Sequence, residues 1–411
     1  MATDRPKLKR FVTILMVALL AGGFVGVSLI AGRDDKEEKI AAGPPNRSQL
    51  NDLVADLLPF VESARGLKFK NDVSVTLAND AQLRNLMLED LEKDRDDLAK
   101  TEVSMRALGL IAPDLDLFDA VASFLDSGVL GLYDPESNRL VVRGERITPL
   151  VRVTLVHELT HALDDQHFEL ERPELEYRDD ETLLGLLSLA EGAADHVEQE
   201  FRATLSTEER SQAEEEEAEI GGEVRAELTK AKIPDIVIAL LTAPHATGPR
   251  LVQAILDAGG VGRLNEAIRT PPTTSEQILL PERFLKGEQA QQVPIPQADG
   301  EVIDSGVFGQ FDLNTILLFG GGTGAAPSRE KQMSALQASV GWGGDAYVVW
   351  RDGSKECMRA TFVMDTPSDL DELVAALKTW ASERTGVVLN TEPDRVTMTA
   401  CNVEQVDSRA A

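Results

Sequence analysis

Apolar positions recur along the chain at two periods. From Leu50 to Val61 they return every three to four residues, as on one face of a helix, and Val73, Val75 and Leu77 alternate as in a strand. Helical spacing follows over roughly 79–109 and 114–126. Val129 to Tyr133 and Arg139 to Val142 flank the turn-forming run Asp134-Pro135-Glu136-Ser137-Asn138, which predicts a hairpin. Thr148-Pro149 supplies an N-cap and a first-turn proline, so a helix is expected from there to about His167, and a second long one over roughly 180–206. Helical stretches resume near 234–242 and 249–268. From about 305 the pattern is mixed, with strands at Ala346 to Trp350, Met358 to Met364 and Arg395 to Cys401 and a helix over 368–384. No internal repeat is visible, and the expected fold class is α+β.

One segment follows neither period. From Phe11 to Gly32 there is no charge for 22 residues, long enough to cross a bilayer. Arg5, Lys7, Lys9 and Arg10 precede it and Arg33-Asp34-Asp35 follow, so the positive-inside rule places the N-terminus in the cytoplasm and the rest of the chain outside. A cleaved signal peptide competes with this reading, but its apolar core is usually shorter, and only Leu29 and Ala31 are available as a small-x-small exit. The expected organisation is a cytoplasmic N-terminus over 1–10, a single-pass transmembrane anchor over 11–32, a linker over 33–49, a core over 50–304 and a C-terminal α/β segment over 305–411 packed on that core.

The chain has 411 residues, 41 of them basic and 70 acidic, and its net charge of −29 opposes phosphate backbones, so nucleic acid is not an expected partner. Gly320-Gly321-Gly322-Thr323-Gly324 lacks the Gly-Lys-Ser/Thr ending of a phosphate loop, reads as a flexible turn, and implies no nucleotide. The run Glu214 to Glu217 reads as a solvated helix face or insertion rather than a calcium site. Cys357 and Cys401 are too few for a sulfur-based metal site. In an extracytoplasmic domain they can form a disulfide, since both flank apparent strands. Five histidines remain as the scarce reactive residues.

Two of these carry a motif. His157-Glu158-x-x-His161 lies inside the helix expected after Thr148. Residues four apart stand only about 40° apart around a helix, so both imidazoles can reach one ion, while Glu158, offset by about 100°, suits a general base beside the metal. A catalytic zinc site needs a third protein ligand and an open position. The second long helix offers Glu191 in the small and apolar stretch Leu187 to Asp195. Gly192, Ala193 and Ala194 would let that helix approach the first, and Asp195, one turn on, is placed to orient a ligating histidine. His245, in a loop bounded by Pro244 and Gly248, is a candidate oxyanion donor, as is Tyr133. His167 reads as a helix-end cap and His196 as structural. Thr273, with Glu276 three residues on, resembles a capping box.

With these residues the chain resembles the gluzincins, zinc peptidases whose ligands are the two histidines of HExxH and a glutamate on a following helix. The resemblance implies Zn2+ on His157, His161 and Glu191, Glu158 as general base, and Asp195 in contact with a zinc-bound histidine. It also implies a mainly helical zincin-like core with a small mixed sheet. More narrowly, the chain is similar to a poorly characterised bacterial family of secreted or anchored gluzincin-like proteins. That similarity runs through Gly131 to Pro135, HELTHALDDQHF, Ala190-Glu191-Gly192, Ala243 to Gly248, Pro271 to Gln277 and Gly341 to Asp345. The family commonly has tyrosine where His245 stands and histidine where Leu280 stands. The expected activity is hydrolysis of a peptide or protein by a membrane-anchored zinc metallopeptidase with Glu158 as base. A catalytically silent, zinc-stabilised surface protein and a zinc hydrolase of a non-peptide cell-wall amide are the alternatives.

Overall fold

A computed structural model describes residues 17–19, 47–135, 138–144, 146–172, 175, 180–319 and 327–405. The N-terminal half interleaves helices with a small mixed sheet. Its elements are Val17–Leu19 (β1), Arg47–Arg65 (α1), Ser74–Ala78 (β2), Asp80–Lys93 (α2), Arg95–Ala107 (α3), Leu117–Gly128 (α4), Val129–Asp134 (β3), Arg139–Arg143 (β4) and Pro149–Phe168 (α5). Next come Asp180–Thr204 (α6), Thr207–Ala231 (α7), Asp235–Leu241 (α8), Ala243–Arg269 (α9), Ser275–Leu279 (α10) and Pro281–Lys286 (α11). The remainder is Glu301–Gly306 (β5), Gly309–Phe319 (α12), Arg329–Ser339 (α13), Trp342–Asp352 (β6), Lys355–Met364 (β7), Pro367–Ser382 (α14), Arg384–Glu392 (β8) and Arg395–Gln405 (β9).

The first sheet has the order β1-β3-β4-β2. The hairpin pair β3 and β4 is antiparallel, and β2 lies parallel to β4. The second sheet, β5-β6-β7-β9-β8, is antiparallel throughout. With helices in the majority and two separate small sheets, the class is α+β as expected. Cys357 and Cys401 face each other across β7 and β9 and form a disulfide. The division expected at 304/305 falls inside β5, because that strand pairs with β6 and belongs to the second sheet.

The segment 11–32, expected to span a membrane, lies outside the described residues except for β1, where Ala18 stands opposite Gly131 of β3. Among the described residues no helix is long and apolar enough to cross a membrane. The glycine run 320–324 also lies outside them.

Helix α5 begins as its sequence requires: the Thr148 hydroxyl accepts from the Val151 amide at 3.2 Å, and Pro149 occupies the first turn. Apolar residues cover it on every side, so it is buried almost throughout. It packs against α1, the first sheet and α6, and its Val156, Leu159 and Leu163 share one core with Val61, Leu140 and Val197. Below it, α6 and α9 cross so closely that a Cβ on Gly192 would enter the Gly248 carbonyl, and one on Gly248 the Ser188 carbonyl. The expectation that Gly192 opens α6 toward α5 is therefore corrected: its bare face meets α9. The Ser188 and Thr247 hydroxyls bridge the same crossing at 2.9 Å.

Two predicted blocks connect the halves. Ser275 donates its amide and hydroxyl to Glu181 on α6, at 2.6 and 2.8 Å, and its hydroxyl accepts from the Phe311 amide on α12 at 3.0 Å. Asp345 on β6 accepts from the Phe308 and Gly309 amides and the Trp342 indole, which fixes the start of α12. The cap of α10 is Thr274, accepting from the Gln277 amide, one residue later than expected, while Glu276 turns to Arg283. The acidic run of 214–217 lies along α7, a helix begun by a capping box between Ser206 and Glu209, and Glu217 pairs with Arg202 at 3.0 Å.

Candidate metal centre

Three helices converge on one carboxylate oxygen. From α5, His157 Nε2 stands 3.2 Å and His161 Nε2 3.5 Å from Oε2 of Glu191 on α6. From the first turn of α9, His245 Nδ1 stands 3.1 Å from the same oxygen. Side-chain exposure is at most 6% for all four. Ligand atoms of His157, His161 and Glu191 all lie within 4.8 Å of one another. His245 flanks this triple, its ring centroid 6.4 Å from that of His157.

The electrostatics follow from this crowding. Burial opposes charge on Glu191, yet His245 and His161 beside it hold the carboxyl well below its usual range. Burial also opposes charge on His157, and its contacts to Glu191 and Glu198 prevail, holding the imidazole well above its usual value.

The cluster fits a metal ion. Both ring nitrogens of His161, Nε2 of His245 and Oε1 of Glu191 are buried without a hydrogen-bond partner among the described residues, which is uncommon for groups of this polarity. Two ligands bound at about 2.1 Å in a tetrahedral zinc site stand roughly 3.4 Å apart. The 3.2 and 3.5 Å separations between the histidines and Glu191 match that spacing.

Glu158 is fully buried on the next helical face and lies outside the triple. Strand β3 passes directly over it: a Cβ on Gly131 would come within 2.7 Å of its Oε1. A side chain there would have to displace the carboxylate or the strand, which gives the glycine of the Gly131 to Pro135 block a steric reason.

The histidine contact expected of Asp195 is made by another residue. Nδ1 of His157 meets Glu198 at 3.0 Å, whereas Asp195 receives only a 3.4 Å contact from Gln199. Glu198 sits seven residues after Glu191 and so on the same helical face. Arg202 holds its other oxygen at 2.8 Å. The spacing of Glu191, Glu198 and Arg202 is a signal the sequence carried. Asp195 remains near enough for its charge to be felt: burial and Glu198 push its carboxyl up.

His245 is corrected from loop to helix, because Pro244 is compatible with a first helical turn, where its missing N–H costs nothing. Tyr133 is not aimed at the cluster. Its hydroxyl donates to Asp165 at 2.9 Å, and burial together with Asp165 raises its pKa. His167 ties the end of α5 to the carbonyl of Lys68 at 2.8 Å rather than capping its own helix, and His196 lies 3.6 Å from Glu200. A second acidic group, Glu276, Glu288 and Asp365, already surrounds the guanidinium of Arg283.

Residues 297–410 match the model of a family described as a domain of unknown function, DUF8575. No match is found among curated proteins or among solved structures.

Proposed function

We propose that this protein is a zinc-dependent peptidase of gluzincin type with a zincin-like core. The observation that carries the reading is the separation of 3.2 and 3.5 Å from the two α5 histidines to one Glu191 oxygen, with Glu158 beside the triple and outside it. His157, His161 and Glu191 would hold the ion. When bound, zinc supplies a Lewis acid that polarises a carbonyl and makes water a nucleophile near neutral pH.

The chain's own groups do the rest. With an ion bound, Glu198 would accept the Nδ1 proton of His157 and leave the Nε2 lone pair free to ligate. Glu158 takes a proton from the attacking water and delivers it to the departing amine. His245, whose Nδ1 lies 3.1 Å from Glu191 beside the cluster, would donate to the oxygen that gains charge during attack. A protein that used zinc only to stabilise its fold would have no need of the Glu158 carboxylate beside the triple.

The reading includes an N-terminal anchor over 11–32 with the catalytic domain outside the cell. A spanning helix there would withdraw β1 from the edge of the first sheet and leave β3, β4 and β2 paired as they are. Protease added to intact cells should then degrade the domain.

Purified protein should hold about one zinc per chain. The Glu158→Gln variant should keep that zinc and lose hydrolysis of a peptide library. Wild-type protein that carries no metal after gentle purification, or a Glu158→Gln variant that turns over as well as wild type, would overturn the proposal.

A further inference from the structure

A cavity of about 180 Å³ is lined by neighbours along the chain of the metal-cluster residues and by none of the cluster's own side chains. Its apolar wall is formed by Leu184 and Leu187 of α6, Leu240 of α8, Pro244 of α9, and Phe311 and Ile316 of α12. Leu187 precedes Glu191 by one helical turn, about 5.4 Å of rise, and Pro244 is bonded to His245. Two of its wall residues thus sit next to two residues of the cluster, on the same two helices.

Several polar groups also line the cavity: Asp312, whose charge acts on the buried Glu181 carboxyl, and four others whose hydrogen bonds close within the protein. Thr101 donates to the Asp97 carbonyl at 3.1 Å, Ser104 to the Lys100 carbonyl at 3.2 Å, and Thr315 to the Phe311 carbonyl at 2.8 Å. Glu181 accepts both bonds from Ser275. With these groups engaged, the space offers an occupant mainly burial and dispersion. Size narrows the class further. An apolar cavity of about 150 Å³ stays dry and takes a benzene ring, so 180 Å³ suits one aromatic or large aliphatic side chain.

We infer that this cavity receives the side chain of a large apolar residue, phenylalanine, leucine or methionine, from a peptide held at the metal centre. The identity of the occupant as part of a substrate rests on the peptidase reading; the cavity's preference for an apolar group does not. Phe311, Thr315 and Ile316 lie within 297–410, so the inference also gives the stretch matched by the domain of unknown function a role: it closes a pocket begun by α6 and α9.

Two measurements on the full-length, zinc-loaded protein separate these parts. In the first, fluorobenzene is titrated into the Glu158→Gln protein and followed by fluorine NMR, with Leu184→Trp and Ile316→Trp added separately to fill the cavity. Saturable binding is expected, and it should be lost in both filled variants, which also subtract partitioning into lipid. In the second, wild-type protein is given a peptide library. Cleavage should favour phenylalanine, leucine or methionine over alanine at one position by about tenfold or more, and Ile316→Trp should bring that ratio toward one while zinc content holds. No saturable binding in the folded protein, binding that survives both fillings, or cleavage indifferent to side-chain size would overturn the inference. A protein that binds zinc and fluorobenzene as described and cleaves nothing would sink the peptidase reading and leave the cavity as an apolar-ligand site.

Discussion

Glu198 lies 3.0 Å from Nδ1 of His157, on the side of the ring opposite the contact between Nε2 and Glu191. One imidazole is therefore held between two carboxylates of the same helix, which favours a proton on each nitrogen when no cation lies between them; with an ion on the Nε2 side, Glu198 would keep the proton on Nδ1 and leave the Nε2 lone pair to the ion. Removing the partner should loosen metal binding without touching a ligand. Glu198→Gln is expected to weaken zinc affinity by about 10- to 100-fold, and Asp195→Asn to change it little. Competition with a chromophoric chelator measures both, and the reverse ranking would return the orienting role to Asp195.

Gly131 presses its backbone against Glu158, where a Cβ would come within 2.7 Å of Oε1. The Gly131→Ala protein must move either the strand or the carboxylate. Zinc content should stay at the wild-type level while turnover falls by about tenfold or more, since misplacing a catalytic group by about 1 Å can cost 100-fold. Equal loss of metal and activity would mean that β3 supports the ligands instead of the base.

The crossing of α6 and α9 depends on Gly192 and Gly248, each of which faces backbone rather than a movable side chain. Overpacking a tight contact costs about 1–3 kcal/mol, and Gly248→Ala is expected at or above the upper end of that range. Because α6 carries Glu191 and α9 carries His245, the same variant should also bind zinc more weakly. Urea denaturation with and without added zinc reads both effects, and an unchanged midpoint would count against a close crossing.

Glu276 has a pH signature. Burial pushes its carboxyl up to about 8 against the pull of Arg283. The folded chain then keeps a proton that the unfolded chain releases near the ordinary value of 4.5. Stability from this group is complete below that lower value and is lost as pH rises through about 8. The Glu276→Gln variant should show a flatter fall of the denaturation midpoint between about pH 5 and pH 8 than the wild type. Identical slopes would show that the carboxylate is ionised across that window.

Much of this molecule can be read along the chain because the relevant signals are local. The cap at Thr148 and the spacing of His157, Glu158 and His161 place two imidazoles on one helical face whatever surrounds the helix. The hairpin of β3 and β4, long helix α6 and most strands of the second sheet follow from periodicity and turn residues in the same way. Strands β5 and β8 escaped that reading. In β8 the inward residues are few and most of the strand is exposed, so it carries little apolar alternation.

Contacts between elements were decided only by tertiary packing. Periodicity states that Glu191, Asp195 and Glu198 share a face of α6 but not which of them meets a ring on α5; that depends on the offset and angle at which the two helices pack. The same holds for Gly192, which turns to α9, for Tyr133, whose hydroxyl is taken by Asp165, and for His245, brought to Glu191 by a helix that begins one residue before Pro244. By itself the sequence determined which side chains can act together on one helix. The folded chain decided which helices face one another, because burial of apolar surface sets those distances and no short motif encodes them.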